Sequence, residues 1–579
     1  MRLRNVVSRA VVAVLTCVGV ARVDAQMSIV ASSAPRWTRS PLAPAESAFQ
    51  ETRRLHDRMG IARSTGLSDS ARGDPQESLD LAFIVWRGRL DRALAAAGRL
   101  TLSAEDTRAL AEMRRVRKES LTPFPPAPID ARPATPDCAY DAAAVARGPG
   151  GIEVLRSHIL ECYSLAARSV RVGDSTFNRL GVLGRLGWTD DPVRRRALWL
   201  ALDTVWRAMN GDDSPVSPWR TLIRLSAPAW RNGKLPANKA ARTLGLDPAL
   251  VERWLVNVME RWRDATPPTP VEPWDFYYQN GAASRAIASR IPRERLLALN
   301  REYFTAVGAN PDALHVHYDI DPRPAKKPLA FTDFGARPTY ANGVWTTGEP
   351  WVFGIYGDGG LDILNELLHE TGHAVHIAAI HTRPAFTDWP DSDPFTEGIA
   401  DVLALDVYEP AWQLRWLGDS ATLAQGIRAR YGGIILDVAW SLFEIRMHRD
   451  PDRDPNAVWT ELTSQYLHIV PHPERSWWAA RAQLFHLPGY MLNYALGAFL
   501  VADVRAEFRA RYGDWVTGDR AWYRRMSEAL YRYGRERDTR TVLTTFLGRP
   551  MRPDALLRDI SRMDGTPGSG PPARRSVSP

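Results

Sequence analysis

The chain has 579 residues, 45% of them apolar and 24% charged, the proportions of a globular protein rather than a disordered or fibrous one. Its net charge of +8 rests almost wholly on arginine, since lysine occurs only as Lys118, Lys234, Lys239, Lys326 and Lys327. The arginines are scattered among acidic residues and no recognition motif accompanies them, which argues against nucleic acid as a partner.

The chain opens with Arg2 and Arg4, then an almost wholly apolar stretch from Ala10 to Ala21, then Val23-Asp24-Ala25 with small residues where a signal peptidase cuts. Residues 1–25 therefore read as a cleaved signal peptide, which places the mature protein in a secreted or periplasmic location. The apolar stretch is shorter than the roughly 20 residues that span a bilayer. No later stretch is longer, so no membrane span is expected. Two cysteines remain after cleavage, Cys138 and Cys162. In an oxidising compartment they either close a loop of about 25 residues, for roughly 3 kcal/mol, or persist as buried thiols; their spacing leaves both open.

Residues 26–45 are rich in Ser, Pro and Ala and read as a flexible leader. From Glu46 to Asn310 apolar residues recur at three- and four-residue spacing, as in Leu79-Leu81-Ala82-Val85-Trp86-Leu90 and Leu250-Val251-Trp254-Leu255-Val258. The texture changes between Leu314 and Tyr356. There, Leu314 to Tyr318 and Trp351 to Tyr356 are short, β-branched or aromatic, and bounded by turn residues, the pattern of strands. Helical spacing resumes from Leu361 to about Ile560, and 566–579 read as a disordered tail. No linker divides the middle. The expected fold class is mainly α, one helical domain over 46–565 with a small β-sheet and a catalytic core at about 310–550.

The chemistry concentrates in His369-Glu370-Thr371-Gly372-His373. Four residues are about one helical turn, so both imidazoles leave the same face and can hold one ion. Zinc suits two neutral imidazoles and a carboxylate, with a fourth position for water. Glu370, beside the first imidazole, is placed to act as general base toward that water. A chance His-Glu-x-x-His is expected in roughly one chain in a hundred of this histidine content, so a third ligand decides the matter. Asp393-Pro394 reads as the N-cap and first position of a new helix. On it, Glu397 and Asp401 share a face. Glu397 completes the ligand set for one Zn²⁺, and Asp401 is placed to fix an imidazole tautomer. Ile399, Val402, Leu403 and Leu405 make this helix largely buried, which two solvated acids would not require.

The stretch His369 to His376 resembles the His-Glu-x-Gly-His-x-x-His signature of the thimet oligopeptidase and oligoendopeptidase family. Glu397-Gly398-Ile399-Ala400-Asp401 and its 23-residue gap from His373 are similar to angiotensin-converting enzyme. Trp274-Asp275-Phe276-Tyr277-Tyr278 resembles a further oligopeptidase element. The segment from Phe485 through His486 to Tyr490 and Tyr494 resembles the region where both families keep a histidine followed by tyrosines. The resemblance spans about 310–410 and 480–500. It implies a gluzincin metallopeptidase: a helical ellipsoid divided by a deep substrate channel, one zinc ion at its floor, and unstructured oligopeptides as partners. It also implies that His486, Tyr490 and Tyr494 donate hydrogen bonds to substrate and oxyanion. Leu484 stands where angiotensin-converting enzyme keeps a lysine for the substrate's C-terminal carboxylate. Cleavage within peptides is therefore favoured over dipeptide release, unless an arginine supplies that anchor. A peptide-binding relative without catalysis is the other alternative. The segment Phe353 to Tyr356 is a candidate edge for pairing with substrate backbone. His376 reads as packing near the ligands and His381 as surface, the many tryptophans as core, and the chain as a monomer.

Overall fold

The computed structural model describes residues 35–65, 76–123, 138–323, 326, 329–341 and 343–564. The signal peptide, the leader before Pro35 and the tail after Asp564 lie outside the described residues. Within them the protein is mainly helical with small sheets. The long uninterrupted stretches of three- and four-residue spacing become the long helices. Leu423–Arg449, opened by a reciprocal Thr422/Gln425 cap, is buried on nearly every side and forms the spine of the core. Around it pack Met491–Tyr512, Pro248–Ala265 and Pro455–Leu467. Trp199, Trp219, Trp459 and Trp515 are among the fully buried side chains here, as expected of core tryptophans.

Three N-terminal helices, Ala43–Thr65, Gln76–Ala97 and Ala104–Glu119, build a second apolar cluster of their own around Phe49, Phe83, Leu90 and Met113. The leader ends earlier than the sequence suggests: Arg36–Arg39 form a 3-10 turn, and Leu42 and Ala45 are buried. The apolar face of Gln76–Ala97 also differs from expectation. Leu79, Phe83, Leu90 and Leu94 are buried, whereas Leu81 and Val85 are more than half exposed, because the helix packs on one side only. Ion pairs tie this layer to the rest. Arg383, almost fully buried, meets Glu46 at 2.6 Å and Asp106 at 2.7 Å. Arg53 meets Asp388 at 2.9 Å, and Arg337 bridges Asp57 and Asp388.

The strands sit beside the helix that carries the histidine motif. Glu349–Phe353 is the central strand of three, pairing in parallel with His317–Asp319 and antiparallel with Phe331–Ala336. The candidate substrate edge at Phe353 to Tyr356 is thereby corrected. Phe353 already has neighbours on both sides, and the Gly354 and Tyr356 amides donate to the Asp319 and Ile320 carbonyls. An edge of this sheet is instead Phe331–Ala336. A hairpin, Val170–Val172 with Ser175–Phe177, lies within the region expected to be mostly helical; Gly173, at φ +59°, makes its turn. Cys138 and Cys162 are joined as a disulfide, with Cα atoms 5.7 Å apart. Among the described residues no helix is long and apolar enough to cross a membrane.

Candidate metal centre

His369 and His373 lie on the helix Leu361–Ala379, one turn apart, with their Nε2 atoms 3.2 Å from each other. The next long helix spans Asp393–Ala404, with Pro394 in its first turn. Its N-cap is Ser392 rather than Asp393, and the Ser392 hydroxyl pairs with Thr243 instead of a helix amide. The two helices touch backbone to backbone. A Cβ at Gly372 would stand 2.4 Å from the Ala400 carbonyl oxygen. This approach brings Glu397 Oε2 to 3.6 Å from His369 Nε2 and 3.9 Å from His373 Nε2.

Three donors held about 2.0–2.1 Å from a tetrahedral ion lie about 3.3–3.5 Å apart. The observed separations, 3.2, 3.6 and 3.9 Å, fit that size with a few tenths of an ångström to spare. His369, His373 and Glu397 are therefore a group able to hold a metal ion, and their two-nitrogen, one-carboxylate chemistry is that of zinc.

The surrounding charges prepare the ligands. Burial and the neighbouring His369 push His373 down to about 3, which keeps its imidazole neutral with a lone pair to give. For His369 burial acts the same way but is overcome by Asp401, whose Oδ1 sits 2.7 Å from Nδ1, so the ring is held well above its ordinary value. With Nδ1–H donating to Asp401, Nε2 is the nitrogen that faces the site, and its lone pair is free to bind once that nitrogen gives up its proton. Burial raises Glu397, but the His369 hydrogen bond and the neighbouring imidazoles more than offset it, and the carboxylate stays below its usual range. Burial pushes Glu370 up to about 7, close to neutral pH as a general base requires. The Thr332 hydroxyl donates to Glu370 Oε2 at 2.7 Å and holds it in place.

A cavity of about 350 Å³ opens over these groups, lined among others by Phe331, Thr332, Trp389, Thr396 and Tyr490. Tyr490 therefore shares the cavity with His369, Glu370, His373 and Glu397. Tyr494 lies behind it, ring centroids 5.5 Å apart, and its hydroxyl accepts from the Gln483 amide at 3.2 Å. His486 is not brought in: it is exposed at the end of a short helix, Gln483–His486, and does not line the cavity. His376 is buried among Trp389, Phe395 and Tyr531, and His381 is exposed.

Behind Tyr494 stands a basic cluster absent from the sequence reading. Arg481 lies 6.0 Å from the Tyr494 ring and pairs with Asp437 at 2.5 Å. Arg179 donates to the Ala480 carbonyl at 3.0 Å and has no carboxylate partner among the described residues. Burial, with Arg481 as a like-charged neighbour, lowers Arg179 below its ordinary value. No motif marks this pair, since 301 residues separate Arg179 from Ala480. Thr332 was findable: Phe331-Thr332-Asp333-Phe334 has the alternation of a strand next to the motif.

The fold recurs in a solved structure at low sequence identity. One described as "The Structure of CHT" is 13% identical, covers 91% of this chain and 99% of its own, and gives a TM-score of 0.53. The crystal structure of an M32 carboxypeptidase from Deinococcus radiodurans R1 is 15% identical, covers 90% and 98%, and gives 0.49. No protein-family model matches the sequence, and no curated protein matches it either. At these identities the likeness is one of fold alone.

Proposed function

We propose that the protein is an exported, zinc-dependent gluzincin peptidase that hydrolyses peptide bonds in unstructured oligopeptides as a monomer. The observation that carries this reading is the convergence of His369, His373 and Glu397 on one point with Glu370 beside them. One zinc ion held by these three residues would supply a Lewis acid at the floor of the cavity. The chain's own residues do the rest. Phe331–Ala336 offers backbone groups to an extended peptide. Glu370 takes a proton from the attacking water and returns it to the leaving amine. The Tyr490 hydroxyl donates to the oxygen that gains charge, with Tyr494 supporting it. The test is mass spectrometry of products from a mixed peptide library with and without chelator, beside Glu370→Gln. Cleavage lost in E370Q with zinc retained supports the reading; zinc-loaded wild type that cuts nothing favours a silent peptide-binding relative.

A second reading, release of dipeptides from the C-terminus, is favoured by Arg179 and Arg481. Arg481 is paired with Asp437 whereas Arg179 meets only the Ala480 carbonyl, leaving a positive surplus on the side of Tyr494. That surplus suits a terminal carboxylate where Leu484 offers none. Equal cleavage of free and C-terminally amidated peptides would remove this reading and leave the first intact.

A further inference from the structure

A second cavity, of about 370 Å³, lies away from the metal ligands, where the end of Pro248–Ala265 meets Pro273–Asn280 and Leu423–Arg449. Its wall holds Arg285, Arg428, Gln279, Thr266, Thr269 and His468 and, among the described residues, no aspartate or glutamate. Both arginines lack a carboxylate partner among the described residues. The Arg285 guanidinium lies 3.5 Å over the Tyr278 ring and donates to the carbonyls of Gly187 and Tyr278. Arg428 gives one bond, to Gln279 Oε1 at 2.5 Å, and its Nε is buried with no acceptor. Many arginines of the chain are paired with acids, as Arg383 and Arg430 are, whereas this pair, like Arg179, is not. A half-buried guanidinium without a counter-charge costs stability, and burial alone lowers Arg428 to about 10. Replacing it with an apolar side chain would be the cheaper way to fill the space.

We infer that this cavity is an anion site, in which Arg428 and Arg285 grip a small oxyanion of the phosphate or carboxylate class. The two guanidiniums at the wall supply the charge, and the Thr269 hydroxyl and Gln279 amide stand beside them as further donors. The site is independent of the metal and of any peptidase activity.

Thermal denaturation and titration calorimetry of the full chain test it, with inorganic phosphate in one arm and acetate in another at constant ionic strength. The variants are Arg428→Met and, as a control, the exposed Arg171→Gln. The wild type and R171Q are expected to gain Tm with the logarithm of anion concentration above the dissociation constant. R428M should bind about tenfold or more weakly, yet without anion be at least as stable as wild type, because an unpaired charge has gone. A larger shift in the phosphate arm identifies a phosphoryl ligand, and a larger one with acetate a carboxylate. No saturable shift in wild type, an equal shift in R428M, or an R428M that is less stable without anion would each overturn the inference, the last by showing that Arg428 is a packing residue.

Discussion

Nδ1 of His369 stands 2.7 Å from Oδ1 of Asp401, a residue one turn beyond Glu397 on the neighbouring helix. One helix face thus supplies both a proposed ligand and the group that would orient another. Replacing Asp401 by Asn keeps the shape but removes the charge that fixes the tautomer. Zinc affinity is expected to fall about 10- to 100-fold, read by competition with a chromophoric chelator.

Thr332 and Glu370 form a similar dependence across the sheet. Burial raises the Glu370 carboxyl, and the Thr332 hydroxyl opposes that by stabilising the charged form. In Thr332→Val the carboxyl titrates higher still. The base is then lost at a higher pH, so the acidic limb of kcat/KM moves upward with zinc content unchanged. An unmoved limb would show that Thr332 does not act on Glu370.

Tyr490 lines the cavity and His486 does not. Tyr490→Phe is expected to lower kcat by about 100-fold, the usual cost of an oxyanion donor. His486→Ala should change it by less than about threefold. Steady-state kinetics on one oligopeptide decides between them.

Glu444 is buried on the spine helix and accepts the Gly489 amide at 2.6 Å, next to Tyr490. Burial pushes its carboxyl up from 4.5 to about 8. The folded state therefore binds the proton that the unfolded state has released, and stability falls as pH rises between these values, by up to about 1.4 kcal/mol per pH unit. In Glu444→Gln this part of the decline should disappear from a series of denaturant midpoints taken from pH 5 to 8.

Arg383 is the ionic hub between the N-terminal layer and the rest, with Glu46 and Asp106 against it. Arg383→Met leaves buried carboxylates without a partner and is expected to cost about 3–5 kcal/mol. Guanidinium unfolding monitored by tryptophan fluorescence would register it.

The clustering of the two histidines with Glu397 was legible in the sequence because its geometry is local. The spacing of His369 to His373 and of Glu397 to Asp401 is one helical turn, and a turn fixes direction. The same logic placed Val251, Trp254, Leu255 and Val258 inside, where they are. It failed for Leu81 and Val85, since periodicity shows a face but not whether anything covers it. It failed also for the strand at Glu349–Phe353, because a short apolar stretch does not reveal whether it is central or at an edge. His486 was drawn in by its neighbours in sequence, yet the chain turns it outward before Tyr490. Arg179 and Arg481 meet only through tertiary packing, which no local pattern encodes.

The contact between Gly372 and Ala400 has a consequence for which ion is chosen. Because main chains rather than side chains set the spacing there, the jaws that close on the ion have a rigid stop, and their gape is decided by a hydrogen atom in place of a methyl group. Gly372→Ala would keep every ligand and still force the jaws apart. Such a wedge would turn the preference away from a compact four-coordinate ion toward larger, higher-coordinate ones, a shift that equilibrium dialysis against mixed zinc and manganese would reveal.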